Sequence, residues 1–129
     1  MYKISKEFSF AASHKLEGLP PEHPCTNLHG HNYVVTVELE ANFLSELGFV
    51  VDYRNLAPVK VFIDKYLDHQ HLNDALAFNP TAENIAKFLF NSFKKTFPQL
   101  VAVTVQETPK TAATYSPEYE YDETPDDIG

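Results

Sequence analysis

Reactive side chains concentrate in this 129-residue chain between Cys25 and Tyr33, a run reading Cys-Thr-Asn-Leu-His-Gly-His-Asn-Tyr. It holds the only cysteine and two of the six histidines, and the Val-Val-Thr-Val-Glu-Leu-Glu that follows has the composition of a strand. Side chains on a strand return to the same face every second residue, so His29 and His31 project to one side about 6 to 7 Å apart and can share a metal ion. Gly30 between them leaves the opposite face bare and lets other backbone come close. A catalytic zinc usually takes three protein ligands and keeps a fourth position open. His14 is the candidate for the third ligand, because it closes the alternating run Phe8-Ser-Phe-Ala-Ala-Ser-His14, a strand able to pair with the one bearing His31. The competing reading makes all three histidines ordinary polar residues of a half-buried strand.

Cys25 admits two roles. As a fourth ligand it would close the site; as a nucleophile or base it would stand beside an open one. No second Cys-x-x-Cys half exists in the chain, which makes structural zinc the weaker reading. A thiol near zinc and imidazole has its pKa lowered toward the reactive thiolate. A second constellation is Leu67-Asp-His-Gln-His-Leu-Asn-Asp74, in which Asp68 precedes His69. A carboxylate fixes an imidazole's tautomer and raises its basicity. Taken alone, however, this segment reads as a helix C-terminus whose histidines favour the dipole. Glu107 ends the strand Val101-Ala-Val-Thr-Val-Gln-Glu107, either as a solvated strand end or as an acceptor facing a cleft.

The elements that must position these groups follow from patterning. Met1 to His14 alternates and reads as one strand; residues 15 to 28, with Gly18, Pro20, Pro21 and Pro24, form a loop delivering Cys25; His29 to Ala41 is a second strand with one polar face. After a turn near Gly48, Phe49 to Asp52 extends the sheet or leads into a helix. Asp52 or Asn55 can cap that helix, with Leu56, Val59, Phe62, Ile63 and Tyr66 at helical spacing and Pro58 in its first turn. Thr81 caps a second helix with the stripe Ile85, Phe88, Leu89, Ser92 and Phe93, ending before Pro98. Leu100 to Glu107 and Thr111 to Tyr115 complete the strands. The order predicts an α+β domain, a four-stranded antiparallel sheet with both helices on one face, whose other face needs a cover supplied by further subunits.

Composition sets the class. One domain of this length buries a single core. One cysteine, no apolar run near 18 residues and no basic-then-apolar start point to a cytoplasmic protein without a membrane span. Of the net charge of −8, six acids and no base belong to residues 116 to 129; without them twelve acids face ten bases, a net of −2. The domain therefore spans residues 1–116, followed by an acidic tail, 117–129, too poor in aliphatics to pack a core and dispensable for catalysis. No basic stripe supports nucleic-acid binding.

With His14, the Cys25-x-x-x-His29-Gly-His31 run, Leu67-Asp68-His69 and the strand ending Gln106-Glu107-Thr108 in view, the chain resembles the 6-pyruvoyl-tetrahydropterin synthase family over residues 1 to 116. The resemblance implies His14, His29 and His31 as zinc ligands, Cys25, Asp68 and His69 as the proton-transfer set, and Glu107 as the anchor of a pterin ring. It also implies the T-fold, closed by trimers into a barrel that stack as a homohexamer with shared sites. Three residues between Cys25 and the His-Gly-His run resemble the branch forming 6-carboxy-5,6,7,8-tetrahydropterin from 7,8-dihydroneopterin triphosphate for queuosine and 7-deazaguanine synthesis. The alternatives are the pyruvoyl-forming reaction and a non-catalytic pterin- or metal-binding module. Lys15 stands where the family commonly has arginine, which leaves the phosphate contacts open.

Overall fold

A computed structural model describes residues 1–24 and 29–117, with His29 described only in its backbone. Cys25 and the acidic tail from residue 118 onward lie outside the described residues.

Strand β1 (Tyr2–His14) and strand β2 (His29–Ala41) are each 13 residues long and pair antiparallel along their length, from Tyr2 opposite Ala41 to His14 opposite His29. The alternation is the cause: Phe8, Phe10, Ala12 and His14 of β1, with Tyr33, Val35, Val37 and Leu39 of β2, are buried on one face. A slip of one residue would turn that whole set into water. Strand β4 (Leu100–Thr108) adds to β2 and strand β5 (Thr111–Tyr115) to β4, both antiparallel.

Helix α1 (Ala57–Tyr66) follows a 3-10 turn, Tyr53–Leu56, capped by the Asp52 carboxylate, which accepts from the Arg54 amide. The Arg54 guanidinium holds the Asp52 carboxyl below its usual range. Helix α3 (Ala82–Phe93) begins where the Thr81 hydroxyl accepts from the Asn84 amide, as its sequence predicts. Its buried stripe is Ile85, Ala86, Leu89, Phe90 and Phe93, so Phe90 takes the core position that periodicity gives to Phe88. Together with Val59 and Ile63 of α1 these side chains cover one face of the sheet. Full burial of each Leu, Ile or Phe contributes about 1.5–3 kcal/mol.

The sheet has five strands rather than four, in the order β3-β1-β2-β4-β5, and it is mixed. Strand β3 is only Gln70–His71, pairing parallel with Ala12 and Ser13, and it runs directly into the one-turn helix α2 (Leu72–Ala75). The segment thus closes the C-terminal end of α1, where the Leu67 and Asp68 amides donate to the Ile63 carbonyl, and then turns at His69 into a short edge strand. Two residues are too few to show a period. No helix among the described residues is long and apolar enough to cross a membrane.

The face away from the helices is polar. Lys3 Nζ bridges Glu38 at 2.9 Å and Glu40 at 3.3 Å, and the Thr104 and Thr114 hydroxyls meet at 2.6 Å.

Candidate active site

His14 and His31 stand on the buried, helix-covered face, where β1 and β2 end together. Their rings meet edge to face with centroids 5.1 Å apart. Glu107 arrives from β4: its Oε1 lies 3.3 Å from His14 Nε2 and 3.9 Å from His31 Nε2. Alternation sets the face of this carboxylate, since Val103 and Val105 of β4 are buried and Glu107 continues their spacing. Gln106 pairs with Ala112 and Thr108 with Thr111, so β4 advances two residues against one on β5 and Glu107 occupies a bulge.

One ligand atom from each of these three residues lies within 4.8 Å of the others. Two ligands each about 2.0–2.1 Å from a tetrahedral ion stand about 3.4 Å apart, and the His14–Glu107 separation is already at that value. Two imidazole nitrogens and a carboxylate oxygen are also a donor set suited to a divalent metal. The described residues His14, His31 and Glu107 can therefore hold a metal ion.

The surroundings select the tautomer that such an ion needs. His14 Nδ1 lies 3.1 Å from the Pro80 carbonyl oxygen and 2.8 Å from the Tyr33 hydroxyl oxygen. A carbonyl only accepts, so Nδ1 carries the proton and Nε2 presents its lone pair to Glu107 and His31. Tyr33 then accepts from Nδ1 and directs its own O–H to Glu107. Burial, and next the negative charge of Glu107, push the Tyr33 pKa up, so this hydroxyl stays protonated and remains a donor. Phe10 stacks on the Tyr33 ring with centroids 4.7 Å apart and fixes it in place.

Asp68 and His69 form a second cluster at the sheet edge. Asp68 Oδ1 accepts from the Ala11 amide at 2.9 Å, the His69 amide donates to the Ala11 carbonyl at 2.6 Å, and Asp68 Oδ2 lies 3.4 Å from His69 Nε2. These neighbours in sequence do meet in space. His69 has φ of 60°, a left-handed conformation that costs a non-glycine residue roughly 1–2 kcal/mol. The two bonds to Ala11 hold it there. Its ring is 82% exposed, whereas His14 is 1% exposed. Beside it His71 Nδ1 and Ser13 Oγ are 3.0 Å apart.

The structure thus unites His14, His31 and Glu107 and sets Asp68 with His69 at the sheet edge, and one cavity opens onto both His31 and His69. The backbone of His29 stands directly opposite His14, while Cys25 lies outside the described residues. Sequence reasoning missed Tyr33 and Pro80. Tyr33 had a readable signal: it falls two residues after His31, on the same face. Pro80 had none, since its role is played by a backbone carbonyl 66 positions from His14.

The model of a protein family described as 6-pyruvoyl tetrahydropterin synthase matches residues 3–118. The chain is 39% identical over 124 residues to the 6-carboxy-5,6,7,8-tetrahydropterin synthase of a Synechocystis strain, covering 89% of this chain and 93% of that one. It is 31% identical over 142 residues to the protein of the same name from Haemophilus influenzae, with 89% and 99% covered. The structure of Caenorhabditis elegans 6-pyruvoyl tetrahydropterin synthase superposes with a TM-score of 0.79 at 30% identity, over 89% of this chain and 94% of that one.

Proposed function

Because the chain belongs to the 6-pyruvoyl tetrahydropterin synthase family, we propose that it is a zinc-dependent 6-carboxy-5,6,7,8-tetrahydropterin synthase, a lyase acting on 7,8-dihydroneopterin triphosphate in queuosine and 7-deazaguanine synthesis. Acetaldehyde and triphosphate are the other products. The similarity to carboxytetrahydropterin synthases supports the reaction. The observation that carries the site is the convergence of His14, His31 and Glu107 within 4.8 Å.

In this reading His14, His29 and His31 hold the ion, which when bound supplies Lewis acidity toward the substrate's side-chain oxygens. Glu107 accepts two N–H bonds from the amino-pyrimidinone edge of the ring, fixing its orientation beside those ligands. Tyr33 keeps the Glu107 carboxylate aimed. Cys25 and His69 move the carbon-bound proton, and Asp68, pinned by the Ala11 amide, holds the His69 imidazole.

The open edges of the sheet support a site shared between subunits. Strand β3 covers only Ala12 and Ser13 of β1, and the rest of that strand and the far side of β5 are open edges among the described residues. Pairing β1 of one copy with β5 of the next extends the sheet toward a closed barrel, which removes both edges. Trimers of this kind, stacked as a homohexamer, complete the proposal. Mixing Cys25→Ala with His69→Ala chains then restores activity that neither has alone. A monomeric elution profile would refute the barrel.

Mass analysis of the products from 7,8-dihydroneopterin triphosphate tests the activity. Carboxytetrahydropterin with acetaldehyde is expected; a pyruvoyl product moves the chain to the other reaction of its family, and unchanged substrate makes it a binding module.

A further inference from the structure

Ser13 and Asn32 alternate with His14 and His31 along their strands, so they face the opposite side of the sheet. They line a cavity of about 470 Å³ with His31, His69, Gln70 and His71, over the bare backbone of Gly30, so it reaches from the metal-site histidine to the sheet edge. Its volume lies within the range of small-ligand sites. The chemistry of its wall is one-sided: hydroxyl, amide and imidazole groups line it, and no carboxylate does among the described residues. The nearby Asp68 is turned to the Ala11 amide and His69.

The Ser13–His71 pair always offers the cavity a hydrogen. If the hydroxyl donates to Nδ1, then Nε2 carries a proton; if Nδ1–H donates to Oγ, the hydroxyl hydrogen is released to donate onward. A wall of donors without acids is suited to an oxyanion, and phosphate oxygens accept from such groups. Four of the ten basic side chains are engaged elsewhere: Lys3, Arg54 and Lys60 pair with acids, and Lys94 donates to the Pro98 and Leu100 carbonyls.

We infer that the Ser13–His71 cavity is a phosphate subsite, and, resting on the pterin triphosphate reading above, that it receives the substrate's phosphate chain. It adjoins His69, so one edge of the sheet both binds the leaving triphosphate and carries an acid–base group.

Calorimetric titration of the full-length protein with inorganic triphosphate, and separately with 7,8-dihydroneopterin, tests this. His71→Ala and Ser13→Ala should each weaken triphosphate about tenfold, the loss expected for one hydrogen bond to a charged group, while dihydroneopterin binds as before. His71→Asn, which keeps a donor, should retain more triphosphate binding than His71→Ala. Triphosphate bound equally by both alanine variants and wild type overturns the subsite, as does an equal loss of both ligands. Wild type that binds triphosphate through His71 but never dihydroneopterin keeps the subsite and retires the pterin reading.

Discussion

The His14–His31–Glu107 cluster and the Asp68–His69 pair differ in what holds them. The first hangs on three strands in long register, its inner histidine 1% exposed and locked by Pro80 and Tyr33. The second hangs on the two backbone groups of Ala11 and a two-residue strand, with its imidazole 82% exposed. Metal ligands need fixed positions, which a rigid sheet supplies; an acid–base group needs to reach a substrate, which an edge residue can do. The contrast predicts that damage to the buried cluster appears in metal content and stability, and damage to the edge in turnover alone.

The sharpest way to break that contrast is His69→Ala. Turnover should fall by about 10²- to 10⁴-fold, the range for a general acid–base group, with metal content and melting temperature unchanged. Elemental analysis showing lost metal would merge the two clusters into one. His14→Ala should do the reverse, lowering metal affinity by more than the 10- to 100-fold typical of groups behind the ligands, and destabilising the fold by leaving Pro80 and Tyr33 without their partner. Full metal occupancy in that variant would remove the assignment.

Glu107→Gln separates anchoring from ligation. If Glu107 grips the ring, kcat/KM should fall by about 100-fold for every pterin substrate while metal stays, because each charge-assisted bond is worth roughly 1.5–3 kcal/mol. Loss of metal instead would make Glu107 a ligand, as its position 3.3 Å from His14 Nε2 also allows. The smallest effect belongs to Tyr33→Phe, which removes one hydroxyl from a packed ring. A stability loss of about 0.5–1.5 kcal/mol in urea unfolding, with metal affinity lowered less than in His14→Ala, is the expected outcome.

Legibility in the sequence tracks the same contrast. The alternation of β1 and β2 and the Thr81 cap were readable, because burial and capping act within one element and leave a period or a residue type behind. His14, His31 and Glu107 come together because those strands pair. Three features had no local trace. The parallel bridge at Gln70–His71 depends on Ala12 and Ser13, 58 positions earlier; the bulge at Glu107 depends on β5; the Pro80 contact is made by backbone. Each is a tertiary agreement between segments, and a window of sequence contains only one side of it.

The bond from His14 to the Pro80 carbonyl ties the putting together of a metal centre to the fraying of a helix. Pro80 directly precedes the Thr81 cap of α3, and Asn84 donates back to the Asn79 carbonyl in the same turn. An ion that immobilises His14 also restrains this turn, so by linkage chelation should raise local opening at the start of α3. Amide hydrogens of Asn84 and Ile85 would then exchange faster in chelated protein, making the first turn of a helix a reporter of the metal site's occupancy.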